Sequence, residues 1–473
     1  MTLQQLKYVV TVAETGTITE AAGKLYISQP SLTNAIHELE REMQIVIFNR
    51  TNKGISLSKE GDIFLGYARQ VLEQAEILED KYKGDNGGKK KFCVSTQHYS
   101  FAVNAFVDLI KKFGGHKVLF HYGGGSIKKS GLYDTVISVL KESGLEFCEL
   151  GGVKPNPRSG LVYEGIELCK KEKVDFILAV GGGSTIDSSK AIAAGTLYDG
   201  DFMDFYQGKA SVEKALPIGT VLTIAAAGSE GSPNTVITDE KTMVKKGTKS
   251  DLLRPKFSIL NPELTCTLPP YQSAAGATDI MIHVCERYFS NTEEVEITDR
   301  LCEAILKTIV YEAPRVIENP NHYEARANIM WAGMLAHNNV CGVGRVQDWA
   351  SHHIEHELSA LYDVTHGAGL AVIAPLWMRY VCKKNPGKLA LFANRIFEVP
   401  MNEKHPEKTA IKGIEAFEAF LKKIGMPSSF AEIGAKEEDI ELMTDKLLKG
   451  RKTEGNYVKL NRDDVIAIYR SAL

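Results

Sequence analysis

Twice in this chain an apolar, strand-length run stops at three glycines and a serine. KVLFHY runs into Gly123-Gly124-Gly125-Ser126, and DFILAV runs into Gly181-Gly182-Gly183-Ser184. An apolar run of six residues, then glycines, then helical spacing is the pattern of a buried parallel strand turning into a helix. Between the two copies the rhythm repeats: a predicted helix at Asp134–Ser143, the strand LEFCEL, and a predicted helix at Gly160–Lys171. Strands alternating with helices in this way specify a doubly wound α/β sheet. From Ser273 to the end the spacing is helical almost throughout. Residues 116–272 are therefore predicted to form a dinucleotide-binding domain, and 273–473 an all-helical one.

Glycine lets a backbone approach a pyrophosphate, and the helix behind it offers free N–H groups and partial positive charge. The bland alternative is that such glycines only make tight turns. One run would say little; two in one sheet, each with a serine placed to cap its helix, say more. A third candidate is Gly228-Ser229-Glu230, close after Thr220 and Thr223, whose hydroxyls suit ribose or phosphate. No Asp or Glu stands at the end of KVLFHY, where a carboxylate would grip a ribose 2′-hydroxyl and repel a 2′-phosphate. Tyr122 and Gly123 occupy that place, with Lys128 and Lys129 nearby, which predicts NADP(H) over NAD(H).

With 44 % apolar and 24 % charged residues over 473, the chain has the balance of a soluble protein with several cores. No run approaches the ~18 apolar residues a membrane helix needs, and the amphipathic N-terminus lacks a signal layout. A cytoplasmic protein is the expectation. The eight cysteines include no CxxC pair, which argues against a disulfide framework and against thiolate-bound zinc. A net charge of −3 excludes a globally basic nucleic-acid binder but leaves room for a small DNA-reading module.

Asp279 and His283 are four apart in a helical stretch and project from one face. His352, His353, His356 and His366 then crowd into fifteen residues. Asp279, His283, His352 and His366 make a set of three imidazoles and one carboxylate. Such a set suits Fe(II), Zn(II) or a similar ion, and not Ca(II) or Mg(II), which prefer oxygen shells. An isolated Asp/His pair is more often a surface hydrogen bond; the crowded histidines make that reading harder to hold. A metal here would act as a Lewis acid on an alcohol or carbonyl oxygen, with the hydride carried by nicotinamide.

From about Lys117 to Leu473 the chain resembles the iron-containing alcohol dehydrogenases, most closely the butanol dehydrogenase or broad aldehyde-reductase branch. The resemblance is carried by HYGGGSIKKSGLYD, VKPNP (Val153–Pro157), AVGGGSTIDSSKAIA, GTVLTIAAAGSE, LPPYQSAAGATDIMIHVCERY and DWASHHIEHELSALYDVTHGAGLAV. It implies Asp279, His283, His352 and His366 as ligands to Fe(II) or Zn(II), and His356 as a proton relay beside the nicotinamide. His353 has no counterpart and reads as packing or surface. Gly124, Gly125, Ser126, Gly182, Gly183, Ser184, Asp187, Thr223, Ser229 and Lys245 fall on cofactor-contacting positions. The implied fold is an α/β nucleotide domain followed by an all-helical metal domain, commonly in a homodimer, acting on a small aldehyde or alcohol. Three positions depart from the pattern: Ala227 for a threonine, Asn261 for an aspartate and Gln347 for a glycine.

Residues 1–60 resemble the winged helix-turn-helix of LysR-type transcriptional regulators, through TITEAAGKLYISQPSLTNAIHELERE and IFNRTNKGISLSKEG. Thr19 and Ser28 are placed to cap two short helices, and Arg50–Gly54 reads as the turn of a wing. The resemblance puts the helix at about Gln29–Leu39 in a major groove. Gln29, Ser31, Thr33 and Asn34 would then meet base edges or phosphates, and Arg50 and Lys53 the backbone. Six Lys/Arg against six Glu in residues 1–60 leave little electrostatic attraction for DNA, so binding would lean on dimerisation. Gln44 stands where that family has a turn glycine.

Residues 61–91 read as a linker helix, from Lys59 to about Lys83, and the flexible tract Gly84–Lys91. Residues 92–115 resemble the first strand and helix of a LysR effector domain, which then stops, while the dehydrogenase lacks its own opening strand and helix. The borrowed βα unit is expected to fill that vacancy. The leading expectation is therefore an NADPH-linked aldehyde reductase carrying a DNA-binding head. The alternative is a regulator whose dehydrogenase domain senses cofactor or aldehyde; a third is a chance or assembled fusion.

Overall fold

The computed structural model describes residues 2–51, 54–58, 60, 61, 64, 65, 68, 72 and 107–473. The chain divides into two compact units, Met1–Ser95 and Thr96–Leu473. Apart from those isolated positions, the expected linker helix, the Gly84–Lys91 tract and the expected strand after Phe92 lie outside the described residues.

In the first unit, helices α1 (Leu3–Thr15), α2 (Ile18–Lys24) and α3 (Gln29–Met43) precede a hairpin of β1 (Phe48–Thr51) and β2 (Gly54–Leu57). The apolar spacing becomes one core: Val9 and Val12 from α1, Ala21 and Ala22 from α2, and Leu32, Ile36 and Leu39 from α3. Ser28 caps α3 as its position predicts, its hydroxyl accepting from the Ser31 N–H at 3.3 Å. Thr19 does not cap α2. Thr17 has the extended backbone a cap needs and accepts from the Glu20 N–H at 3.3 Å, which places Thr19 inside the first turn. Glu40 ties the end of α3 to the hairpin by accepting from the N–H groups of Ile47 and Phe48 at 2.7 and 3.0 Å. Gln44 closes α3 with φ +54, the left-handed conformation that glycine adopts without penalty.

The second unit opens with a helix at 107–112 (α4), whose Val107 and Ile110 are buried against the sheet. The sheet is parallel throughout, in the order β4 (Glu146–Leu150), β3 (Lys117–Tyr122), β5 (Phe176–Gly181), β6 (Ile218–Leu222), β9 (Phe257–Ile259). Side chains alternate between two cores because strand residues alternate faces. Val118, Phe120, Phe176, Leu178 and Val180 join α4 and α5 (Leu132–Glu142) on one side. Leu119 and Ile177 join α6 (Ser159–Glu172) and α7 (Gly183–Thr196) on the other. This is the doubly wound arrangement that the two strand–glycine–helix units specify. A separate hairpin, β7 (Asn234–Asp239) with β8 (Val244–Lys249), pairs Thr238 with Lys245.

Beyond residue 270 the chain is helical. The centre is α8 (Pro270–Tyr288), buried at every position from Ser273 to Tyr288. Around it stand α9 (Glu296–Glu318), α10 (Tyr323–His337), α11 (Ala350–Tyr362) and α12 (His366–Cys382) in one large apolar core. Gly367 and Gly369 allow α12 its place: a Cβ on Gly367 would strike the Ala275 carbonyl of α8, and one on Gly369 the Glu355 carboxylate. Among the described residues no helix is long and apolar enough to cross a membrane.

One buried titratable group in the sheet predicts how this unit responds to acid. His121 in β3 is fully buried, with Nδ1 2.7 Å from the Leu150 carbonyl and Nε2 2.9 Å from the Ser188 hydroxyl. The neutral ring satisfies both contacts, donating to the carbonyl and accepting from the hydroxyl. Burial pushes its pKa down to about 4, opposed by the Leu150 contact. Between about pH 6.5 and 4 the unfolded chain therefore takes up a proton that the folded chain refuses. Stability is lost as pH falls through that window and levels off below it, by about 3 kcal/mol in total. His121→Asn should flatten this part of a melting-temperature profile against pH; an unchanged slope would remove His121 as its cause.

Candidate metal and cofactor site

Asp279 and His283 lie one turn apart on α8, His352 lies in the first turn of α11, and His366 opens α12. Their polar atoms converge. Asp279 Oδ1 is 3.1 Å from His283 Nδ1, 3.9 Å from His352 Nε2 and 3.7 Å from His366 Nε2. Asp279 Oδ1, His283 Nδ1 and His352 Nε2 are buried without a hydrogen-bond partner. Unpaired buried polar atoms are costly. Asp279, His283 and His352 have ligand atoms within 4.8 Å of one another. His366 reaches Asp279 from the side of a second group, Glu355, His356 and His366, and an ion would satisfy such donors. Bonds of about 2.1 Å in a tetrahedral shell set ligand atoms about 3.4 Å apart, and the three separations bracket that value. The residues fit a transition metal.

Two carboxylates that spacing did not single out hold two of these side chains, His352 and His366. Glu286, on α8, accepts from Ser351 Oγ at 2.6 Å and from the N–H groups of Trp349 and His352 at 2.6 and 3.0 Å. Its Oε1 also lies 2.8 Å from His352 Nδ1. No side chain at its own N-cap caps α11; its N-cap is Trp349 at φ +72, so Glu286 supplies the anion that helix start needs. Glu355, fully buried, pairs with His366 Nδ1 and with the Ser359 hydroxyl. A carboxylate on the second ring nitrogen fixes the imidazole's tautomer and aims the first nitrogen at the ion. The signal was available: Glu286 falls two turns after Asp279 on one helical face, and Glu355 one turn after His352.

Burial alone would lower the His352 pKa, but Asp279 and Glu286 outweigh it and raise it to about 9. Burial also opposes the charge on Asp279, and His283 and His366 overcome it, holding that carboxyl well below its usual range. His356 lies 5.5 Å from the His366 ring and 6.4 Å from the His352 ring, outside the four-donor cluster. Burial and the Lys245 ammonium drive its pKa well down and keep the ring neutral. His353 pairs with Glu454 at 2.8 Å, a packing role.

Gly182 is the N-cap of α7, and no side chain caps it. Ser184 lies inside the first turn instead of capping it, as does Ser126 in the short helix Ser126–Lys129. The first N–H groups of α7 therefore keep their polarity for an anion. The glycines also serve packing: a Cβ on Gly182 would stand 3.1 Å from Ile224, and one on Gly183 2.9 Å from Ala227. Thr223 is set beside this turn by its N–H bond to the Gly181 carbonyl, at 3.0 Å. Gly124, Gly125 and Ser126 are exposed at the end of the neighbouring strand β3, and a Cβ on either glycine would meet open space. Asp187 accepts from Ser229 Oγ at 2.5 Å and from the Val236 N–H at 2.9 Å. Lys190, missed by sequence, binds this network together: its ammonium donates to Ser229 Oγ and to the carbonyls of Ser229, Ser232 and Asn234. Burial brings its pKa down to about 8. Lys245 donates to Asn156 Oδ1 at 2.9 Å.

Two of the three departures are accommodated. Asn261 caps a short helix by accepting from the Glu263 N–H at 3.1 Å. Gln347 accepts from Trp349 Nε1 at 2.9 Å, steadying an indole whose ring lies 5.1 Å from that of His352.

Comparison with known proteins accords with this geometry. The family model described as iron-containing alcohol dehydrogenase matches residues 98–262, and its C-terminal counterpart matches 273–473. The chain belongs to the iron-containing alcohol dehydrogenase family. A probable NADH-dependent butanol dehydrogenase 2 of Bacillus subtilis is 46 % identical over 361 residues, covering 76 % of this chain and 93 % of the relative. An NADPH-dependent aldehyde reductase of Escherichia coli is 35 % identical, covering 75 % and 92 %. The crystal structure of NADH-dependent butanol dehydrogenase A from Thermotoga maritima superposes with a TM-score of 0.75 at 46 % identity, covering 78 % and 94 %. Residues 3–62 match the bacterial regulatory helix-turn-helix of the lysR family. This chain is thus a member of the dehydrogenase family with a LysR-type helix-turn-helix at its front. On α3, Gln29, Ser31 and Asn34 are exposed and Thr33 is half-buried. Ser31 shares a 2.7 Å hydroxyl contact with Ser28, and Gln29 accepts from Thr19 at 3.4 Å. Arg50 lies in β1, and Lys53 lies outside the described residues.

Glu286→Gln keeps the shape and removes the charge that aims His352. Metal affinity should fall about 10- to 100-fold, read by chelator competition on the purified protein; wild-type affinity in the variant would refute this role.

Proposed function

We propose that the chain is a metal-dependent, NAD(P)H-linked dehydrogenase that interconverts small primary alcohols and aldehydes. The observation that carries this reading is the convergence of buried, unpaired atoms of Asp279, His283 and His352, with His366, on one point. Asp279, His283, His352 and His366 would hold Fe(II) or Zn(II), which supplies Lewis acidity toward the substrate oxygen. Glu286 and Glu355 orient the ligand rings. The open first turn of α7 receives the cofactor's phosphates, with Gly182, Gly183 and Ser184, and Lys190 keeps Asp187 and Ser229 in place beside it. His356, neutral at physiological pH, exchanges the proton with the alcohol oxygen.

The reading includes a preference for NADP(H). Its support is local: no acidic residue stands between Lys117 and Ser130, Gly124 and Gly125 leave open space, and Lys128 and Lys129 are exposed. The printed names of the relatives include both NADH- and NADPH-dependent enzymes. The exposed face of α3 favours a second activity in the same chain, DNA binding through Gln29, Ser31, Thr33, Asn34, Arg50 and Lys53.

Full-length protein loaded with Fe(II) or Zn(II) should oxidise NADPH with butyraldehyde, at a kcat/KM about tenfold above that with NADH, or about 1.4 kcal/mol. His283→Ala should abolish turnover while leaving the circular dichroism unchanged. Absence of turnover with either metal defeats the enzyme reading, and a gel shift on its own upstream DNA decides the second activity.

We infer further that the helix at 107–112, the described part of the expected βα unit, completes the nucleotide domain, because its Val107 and Ile110 share a core with β3 and β5. A chain starting at residue 92 should melt cooperatively near the full-length temperature, and one starting at 116 should not. Equal stability of the two would end this reading.

A further inference from the structure

The motif Val153–Pro157 carries no ligand and no assigned contact, yet Asn156 at its centre is buried and left-handed, with φ +53. Three of the four hydrogen bonds its amide can make are present. Its Nδ2 donates to Asp363 Oδ1 at 3.2 Å and to the Val364 carbonyl at 3.3 Å. Its Oδ1 accepts from Lys245 Nζ at 2.9 Å. One side chain of the nucleotide domain thus grips the loop that delivers His366, three residues beyond Asp363, and a lysine on β8.

The surroundings brace this grip. Arg158 pairs with the other oxygen of Asp363 at 3.1 Å. The Pro157 carbonyl accepts from the Thr238 N–H at 2.8 Å, and Thr238 is the register partner of Lys245. Asp363 is itself left-handed, at φ +54, so the end of α11 is held in a conformation that an unsupported aspartate adopts with difficulty. The Lys245 ammonium is buried within electrostatic reach of Glu355, Asp279 and Asp187, which belong to the metal side and the cofactor side of the cleft.

We propose that Asn156 is a positioning residue: it registers Lys245, on the cofactor side, against the 363–366 loop that presents His366 on the metal side. The proposal rests on the dehydrogenase reading, and its test is built to fail separately from it. Asn156 touches no reacting atom; it acts through Lys245 and His366. Small misplacements of such groups cost up to about 100-fold in rate.

Three full-length variants test this. Asn156→Gly keeps the left-handed backbone and deletes the amide. Asn156→Asp still accepts from Lys245 but cannot donate to Asp363 or Val364. Lys245→Met removes the other partner. Each is read by cofactor binding through nicotinamide fluorescence, by the rate of metal loss to a chelator, by kcat and KM, and by melting temperature. For Asn156→Gly the expected outcome is cofactor affinity lower by about 5- to 10-fold, faster metal loss, and kcat lower by about 10- to 100-fold, with melting shifted by only a few degrees. Asn156→Asp should keep near wild-type cofactor affinity and lose metal faster. Combining Asn156→Gly with Lys245→Met should weaken cofactor binding no more than Lys245→Met alone. Wild-type cofactor affinity and metal retention in Asn156→Gly would overturn the proposal, as would additive losses in the double variant. If wild type turns nothing over, the dehydrogenase reading falls, and the binding and metal-loss measurements still decide Asn156.

Discussion

The carboxylate of Glu286 is the contact on which the metal domain depends. It leaves the central helix α8, accepts two backbone N–H groups at the start of α11, and lies 2.8 Å from the Nδ1 atom of His352. A buried anion is costly unless its lone pairs are filled. Here the filling is done by a helix start that has no side-chain cap of its own and by a ring that must be aimed. The strained backbone of Trp349 makes sense in this setting, because it turns the chain so that α11 begins on Glu286. Stability and ligand geometry share one interaction.

The same economy appears where elements cross. Gly367 lets α12 touch the backbone of α8, and Gly369 leaves room for Glu355. Gly182 and Gly183 admit the 223–227 loop while keeping the start of α7 uncovered. In each case the missing side chain is required twice, once for packing and once for the chemistry beside it. The packing reading of the glycine run thus holds, and it leaves the start of α7 uncovered for the role proposed above.

Much of this was legible in the sequence. The strand–glycine–helix units specified a parallel sheet with helices on both faces, and the crowded histidines pointed to a region where Asp279, His283 and His352 lie together with His366 beside Asp279. Capping was read less well. Thr19, Ser126 and Ser184 all look like caps, yet each sits one or two residues inside its helix; for Thr19 and Ser184 the cap is set by the extended backbone of Thr17 and Gly182. The supporting residues were the harder part. Glu286 and Glu355 share helical faces with Asp279 and His352, but Lys190 and Asn156 act through partners 39 to 208 positions away, and neither helical nor strand period carries such a distance.

The candidate metal cradle is lopsided. Asp279, His283 and His352 form a floor that is buried and backed by α8, while His366 is about one-fifth exposed on the opposite rim. A floor built from backbone contacts and filled carboxylates leaves no freedom for substitution. The rim, made of loop ends and side chains from two domains, does. Under the proposed reading, change toward bulkier or more polar substrates would be accommodated on the side of His366, with the three buried side chains unchanged.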